Sequence, residues 1–205
     1  SFNKDFKSIS EFYPEKTIIS NGLSKWCGAG GWRLGYFIIP EALTELKNSI
    51  KNLASETFSS VSAPIQYAAI AAYNNNHNEY INDSRSILKA VGEYVFENLK
   101  SNTISINKPQ GGFYLMPEFL TQKFSTSEEM CSNILNETGV ALLPGSDFGF
   151  SKERMIARLS FTDFNGGEFM QNIKKTKKID INSISKFAPK IIEGTKKLKL
   201  WSELI

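Results

Sequence analysis

The sequence predicts an α/β chain in three parts: the last portion of a larger sheet-containing domain over residues 1–80, a bridging helix over 81–101, and a smaller α+β domain over 102–205. Three observations predict it. Two continuous apolar runs near the start flank a glycine-rich turn, one long stretch carries apolar residues at helical spacing, and short strands then alternate with helices to the end.

Thr17-Ile18-Ile19-Ser20 is the first apolar run, and Leu34-Gly35-Tyr36-Phe37-Ile38-Ile39, closed by Pro40, is the second. Continuous, β-branched apolar character suits strands buried on both faces. Pro40-Glu41 opens a helix through Leu43, Leu46, Ile50 and Leu53; after the Ser-rich residues 55–62 a second helix runs from about Ile65 to Tyr73. The Asn-rich stretch 74–78 breaks it, and His77, the only histidine, reads there as part of a polar loop. From Glu79 to Lys100 the positions Tyr80, Ile87, Leu88, Val91, Val95 and Leu99 predict one long amphipathic helix. Short strands follow at Thr103–Ile106 and Gly112–Met116. Thr126-Ser127-Glu128-Glu129 has the form of a capping box, and the helix it starts stops at Gly139. Two further strands are expected at Val140–Leu143 and Met155–Phe161, then helices at Glu168–Lys177 and Ile184–Trp201. The last carries Ile184, Phe187, Ile191, Ile192 and Leu198 on one stripe.

At 205 residues with 41% hydrophobic and 12% aromatic content, the chain can bury a core. Its net charge of +3 comes from scattered lysines and one run at 174–178, a solvated helix face with no nucleic-acid recognition motif beside it. Cys27 and Cys131 are too few for a disulfide framework, and no Cys/His cluster has metal-site spacing. A single histidine in a polar loop argues against a Ser-His-Asp or Cys-His mechanism. No apolar run has the length of a membrane span and the first residues lack signal-peptide form, so a reducing cytoplasmic setting is expected. The start at Ser1, ahead of any clear first element, suggests a piece of a longer protein.

The chemistry concentrates in Ser20-Asn21-Gly22-Leu23-Ser24-Lys25-Trp26-Cys27-Gly28-Ala29-Gly30-Gly31-Trp32-Arg33-Leu34-Gly35. A lysine just past a buried strand is partly desolvated, which favours the neutral amine that attacks an aldehyde. Arg33 offers a planar fork of donors suited to a phosphate dianion. The small residues Gly28 to Gly31 let the backbone turn tightly enough to bring both cations to one site. The glycines do not form a dinucleotide fingerprint, since Arg33 stands where its third glycine belongs.

Taken together, Gly22, Ser24, Lys25, Gly28, Ala29, Gly31, Arg33 and Gly35 closely resemble the lysine-attachment signature of the class I/II aminotransferases, fold type I enzymes that use pyridoxal 5′-phosphate. Three later segments resemble the same family in the same order. They are Pro109-Gln110-Gly111-Gly112-Phe113-Tyr114, the stretch Gly139 to Gly149 with its Pro144-Gly145 and Phe148-Gly149, and Ile156-Ala157-Arg158-Leu159-Ser160-Phe161. The resemblance implies that Lys25 forms the Schiff base and that Arg33, Ser24 and Gly22 lie at the cofactor phosphate. It implies also that Arg158 grips the α-carboxylate of an amino acid whose amino group passes to a 2-oxo acid. Residues 1–80 then end the cofactor-binding large domain, and the complete protein is a homodimer.

Many family members carry Ser where this chain has Gly22. Ser59, Ser60 and Ser62 stand where the family reaches toward the neighbouring subunit's phosphate. Dicarboxylate-specific members of one subgroup of the family place an Arg shortly before the Ser-rich segment, and since no basic residue occurs here from Leu53 to Ser60 the resemblance disfavours aspartate as substrate. The family's front half supplies a phosphate-cradling turn, a ring-stacking aromatic and the Asp that pairs with the pyridinium nitrogen, and none has a counterpart here. These residues alone are therefore expected to be inactive and to belong to a longer protein or a two-chain enzyme. A lyase or synthase of the same fold, or a non-catalytic ligand-sensing or dimerisation domain of a regulator, fits the same resemblance.

Overall fold

The two apolar runs near the start pair with each other. In the computed structural model, which describes residues 1–3, 6–58 and 60–205, β1 (Ile19–Gly22) and β2 (Gly35–Ile38) form a two-stranded antiparallel ladder in the register Ile19↔Ile38 to Gly22↔Gly35. The expectation of strands buried on both faces is not met: Phe37 is 61% and Ile38 52% exposed. Two strands alone have open edges and a single thin layer, so apolar side chains on either face stay uncovered unless another element packs on them. Continuous apolar character records what a strand is suited to meet, and within these residues β1 and β2 do not meet it.

Between the strands lies a single helical turn, α1 (Leu23–Trp26), and after β2 come α2 (Thr44–Thr57), α3 (Ala63–Asn74) and α4 (Asn78–Leu99). Pro64 sits in the first turn of α3, where its missing N–H costs no helical bond. Contacts divide the chain into two units, Asp5–Ile81 and Ser1–Lys4 with Asn82–Ile205. In the first, Leu23 and Ala69 are the buried apolar side chains, while Leu46 and Leu53 on the apolar stripe of α2 are exposed.

The core sits in the second unit. Ile87, Val91, Val95 and Leu99 repeat along one face of α4 and are all buried. β3 (Ile104–Ser105) pairs with β5 (Glu118–Phe119), and β4 (Tyr114–Leu115) pairs with β7 (Ala157–Ser160), which also pairs with β6 (Leu143–Pro144), so the larger sheet has the order β4-β7-β6, antiparallel throughout. A Cβ on Gly92 would lie 2.9 Å from Phe161 Cζ, so the glycine lets α4 close onto the residue that follows β7.

α5 (Ser127–Thr138) starts as the capping residues predict, with the Thr126 hydroxyl accepting from the Glu129 N–H. The return bond differs: the Glu129 carboxylate accepts from Ser125 N–H at 2.8 Å. Gly139, at φ 74°, ends the helix. α6 (Gly166–Thr176) carries Lys174 and Lys175 in its last turn. The single helix expected from Ile184 to Trp201 is two, α7 (Ile181–Phe187) and α8 (Pro189–Leu204). Pro189 has no N–H and crowds the residue before it, and Ala188 accordingly leaves helical geometry at φ −127°, ψ 46°. The stripe survives the break, because Ile184, Phe187, Ile191, Leu198 and Trp201 all reach the core.

Candidate active site

The lysine-bearing turn is built on glycines and one buried leucine. At the end of the ladder Gly22 faces Gly35, and a Cβ on Gly22 would stand 2.6 Å from the Leu34 carbonyl oxygen, so a side chain there would force the strands apart. This explains Gly22 locally, at the position where many family members carry Ser. Leu23 is fully buried and anchors α1; its carbonyl accepts from Ala29 N–H and from the Cys27 thiol. Gly28 takes φ 68°, the left-handed region in which a side chain is strained, and turns the chain out of α1.

Trp26 braces the turn from behind. Its indole N–H donates to the Tyr73 hydroxyl at 3.3 Å, which ties α1 to α3, and its ring lies 5.9 Å from that of His77. His77 is thus half-buried against an aromatic, not dissolved in a polar loop, and its Nε2 is buried without a hydrogen-bond partner among the described residues. Tyr73 also meets Tyr36 edge-on, and the hydrogen bond between the two phenols, with burial adding to it, pushes Tyr36 up to about 12.

Arg33 sits in left-handed geometry at φ 53°, ψ 40°, a conformation that costs a non-glycine residue roughly 1–2 kcal/mol. Its Nη1 donates to the Gly30 carbonyl at 2.8 Å, which fixes the guanidinium across the turn. Strain of this kind gathers where a surrounding site requires a side chain in one direction.

The consequence is one open cleft of about 430 Å³, lined by Ser20, Asn21, Gly22, Ser24, Lys25, Trp26, Arg33, Leu34 and Gly35. It brings together four of the five residues that the sequence singles out: Gly22, Ser24, Lys25 and Arg33. No carboxylate is among its lining residues as far as the described residues go. Lys25 is exposed among the described residues, where the sequence leads to an expectation of partial burial; in the strand preceding it Ser20 and Asn21 are exposed as well. An amine, a guanidinium and a hydroxyl around one space make a donor set that fits a phosphorylated aldehyde. A second open cleft of about 850 Å³ also borders Arg33 and takes in Ser60 and Ser62; Ser59 lies outside the described residues.

Arg158, the fifth, belongs to the other unit, at the middle of β7 opposite Leu143. Its Cζ lies 4.4 Å from the ring centroid of Tyr114 and 4.2 Å from that of Phe148. It has no ion pair among the described residues, whereas nearby Arg154 is held by both oxygens of Glu118, at 3.0 and 2.7 Å. The sequence assigns no site role to Trp26, Tyr73, Tyr114 or Phe148. For Tyr114 a signal was available, since it alternates with buried Leu115 in a short strand and must therefore face away from the core.

Residues 2–165 match the sequence family described as aminotransferase class I and II. An aspartate aminotransferase from Bacillus sp. (strain YM-2) is 36% identical over 146 residues, which are 69% of this chain and 36% of that protein. A probable N-acetyl-LL-diaminopimelate aminotransferase from Bacillus subtilis (strain 168) is 30% identical over 161 residues, 78% of this chain and 39% of that protein. Among solved structures, an alanine aminotransferase from Pyrococcus furiosus superposes with a TM-score of 0.71 at 26% identity, over 92% of this chain and 42% of that one. The chain therefore spans less than half the length of each of these relatives.

Proposed function

Because the chain belongs to the class I and II aminotransferase family, we propose that it supplies the lysine-bearing portion of a pyridoxal 5′-phosphate enzyme that transfers an amino group from an amino acid to a 2-oxo acid. The observation that carries this reading is the shared cleft of Gly22, Ser24, Lys25 and Arg33. Within it, Lys25 would hold the cofactor through its aldehyde carbon, while the Arg33 fork and the Ser24 hydroxyl would take the phosphate. When bound, the cofactor supplies an electron-withdrawing ring that acidifies the substrate α-carbon.

Lys25 Nζ would be the base that takes the proton from that carbon. Arg158 binds the α-carboxylate and so orients the bond to be broken. In this proposal residues 1–80 end the cofactor-binding large domain, 81–101 bridge, and 102–205 form the small domain of a fold type I protein that is a homodimer when complete. The partner for the ring nitrogen comes from residues outside the cleft's own lining, in a longer protein or a second chain.

A titration of the 205-residue chain with pyridoxal 5′-phosphate, followed by visible absorbance, tests the reading. A saturable band is expected that Lys25→Ala removes and that phosphate-free pyridoxal reproduces only at concentrations roughly tenfold or more higher, the worth of one or two charge-assisted hydrogen bonds. The same residues are expected to turn over no amino acid by themselves. An equal band in the Lys25→Ala chain contradicts the reading.

A further inference from the structure

The guanidinium of Arg158 lies against two rings, while its N–H donors meet no carboxylate among the described residues. The sheet and one turn produce this arrangement. Tyr114 pairs with Ser160, and Arg158, two residues earlier on β7, projects from the same face, so the tyrosine ring falls diagonally across the guanidinium. Phe148 arrives from another direction. β6 runs into a tight helical turn, Gly145–Phe148, which packs directly on Ile156: a Cβ on Gly145 would lie 2.9 Å from both the Cβ and the carbonyl oxygen of that residue. Gly149, at φ 85°, ends the turn with Phe148 over Arg158. The two rings make no pair with each other among the described residues, so they meet the guanidinium separately.

We propose that Tyr114 and Phe148 are positioning residues for the carboxylate site: their rings hold the Arg158 guanidinium between them and leave its N–H edge to the ligand. This rests on the reading of Arg158 as the carboxylate-binding residue and adds what makes it selective. A guanidinium is weakly hydrated over its plane and stacks well on aromatic rings, whereas its donors lie in the plane. Rings on the plane therefore cost it no hydrogen bond. They also fix a long side chain before binding, so less ordering is left for the ligand to drive. A fork fixed in this way matches a planar carboxylate that approaches edge to edge.

Nitrogen-15 NMR of the Arg158 Nε–Hε group in the 205-residue chain, titrated with acetate, reads the clamp directly. The Arg158 signal is expected upfield of free arginine because of the rings, and to move on acetate addition. Phe148→Leu and Tyr114→Leu keep apolar bulk but no π face. Each is expected to return the signal toward the free position and to weaken acetate binding roughly three- to tenfold, while Phe148→Tyr and Tyr114→Phe retain both. Leucine variants with unchanged shift and unchanged affinity would overturn the clamp and leave the reading of Arg158 intact. An acetate response that persists in Arg158→Gln would instead overturn that reading, and the clamp's purpose with it.

Discussion

Arg33→Asn is expected to weaken pyridoxal 5′-phosphate binding by about 10- to 100-fold, the range that one or two charge-assisted hydrogen bonds supply, while leaving the fold as stable as before or slightly more so. The two effects have separate sources. The guanidinium is exposed and among the described residues bonds to the Gly30 carbonyl, so its removal takes little from the packing. The backbone at φ 53° is strained for arginine and is more readily adopted by asparagine, so the substitution relieves up to about 1 kcal/mol. Arg33→Lys is expected to restore only part of the affinity, because a point charge replaces a planar fork. Cofactor titrations set beside thermal melts separate these outcomes. A variant that melts early yet binds normally would make Arg33 a structural residue.

Phe161→Ala is expected to cost about 3–5 kcal/mol of unfolding free energy, a large share of what a domain of this size possesses. Phe161 is fully buried, its ring rests on Gly92 of α4, and its N–H donates to the Phe113 carbonyl beside β4. It therefore joins the long helix to the sheet that carries Arg158 and Tyr114, and loss of the ring leaves a cavity at that junction. Gly92→Val attacks the same contact from the other side, by collision with the Phe161 ring. Chemical denaturation of both variants checks the account; a cost below about 1 kcal/mol for Phe161→Ala would show that the junction repacks without the ring.

The elements legible in the sequence were those whose signals are local. α4 announced itself through Ile87, Val91, Val95 and Leu99, and α5 through Thr126 and Gly139, because helical period and capping chemistry act within a few residues. Pro189 also acts locally, but the apolar stripe that continues across it masked the break between α7 and α8. β5 is not legible in the sequence because two residues, Glu118 and Phe119, hold no period; their place depends on pairing with β3. The apolar runs of β1 and β2 predicted strands correctly but not their surroundings, since burial depends on what else packs there.

Within the site, Gly22, Ser24, Lys25 and Arg33 were legible as one constellation because a single short segment holds them all. The supports were not. Tyr73 reaches Trp26 across 47 positions, and Phe148 reaches Arg158 through a turn whose shape depends on Gly145 packing against Ile156. No local pattern encodes such meetings.

Borohydride reduction of the chain after brief exposure to limiting pyridoxal 5′-phosphate, followed by peptide mapping, measures whether one amine is singled out. On this account label is expected to concentrate on Lys25 and to disperse in Arg33→Ala if the guanidinium that shares its cleft holds the phosphate. Label spread evenly over exposed lysines such as Lys174, Lys175, Lys177 and Lys178, and indifferent to Arg33, would contradict it.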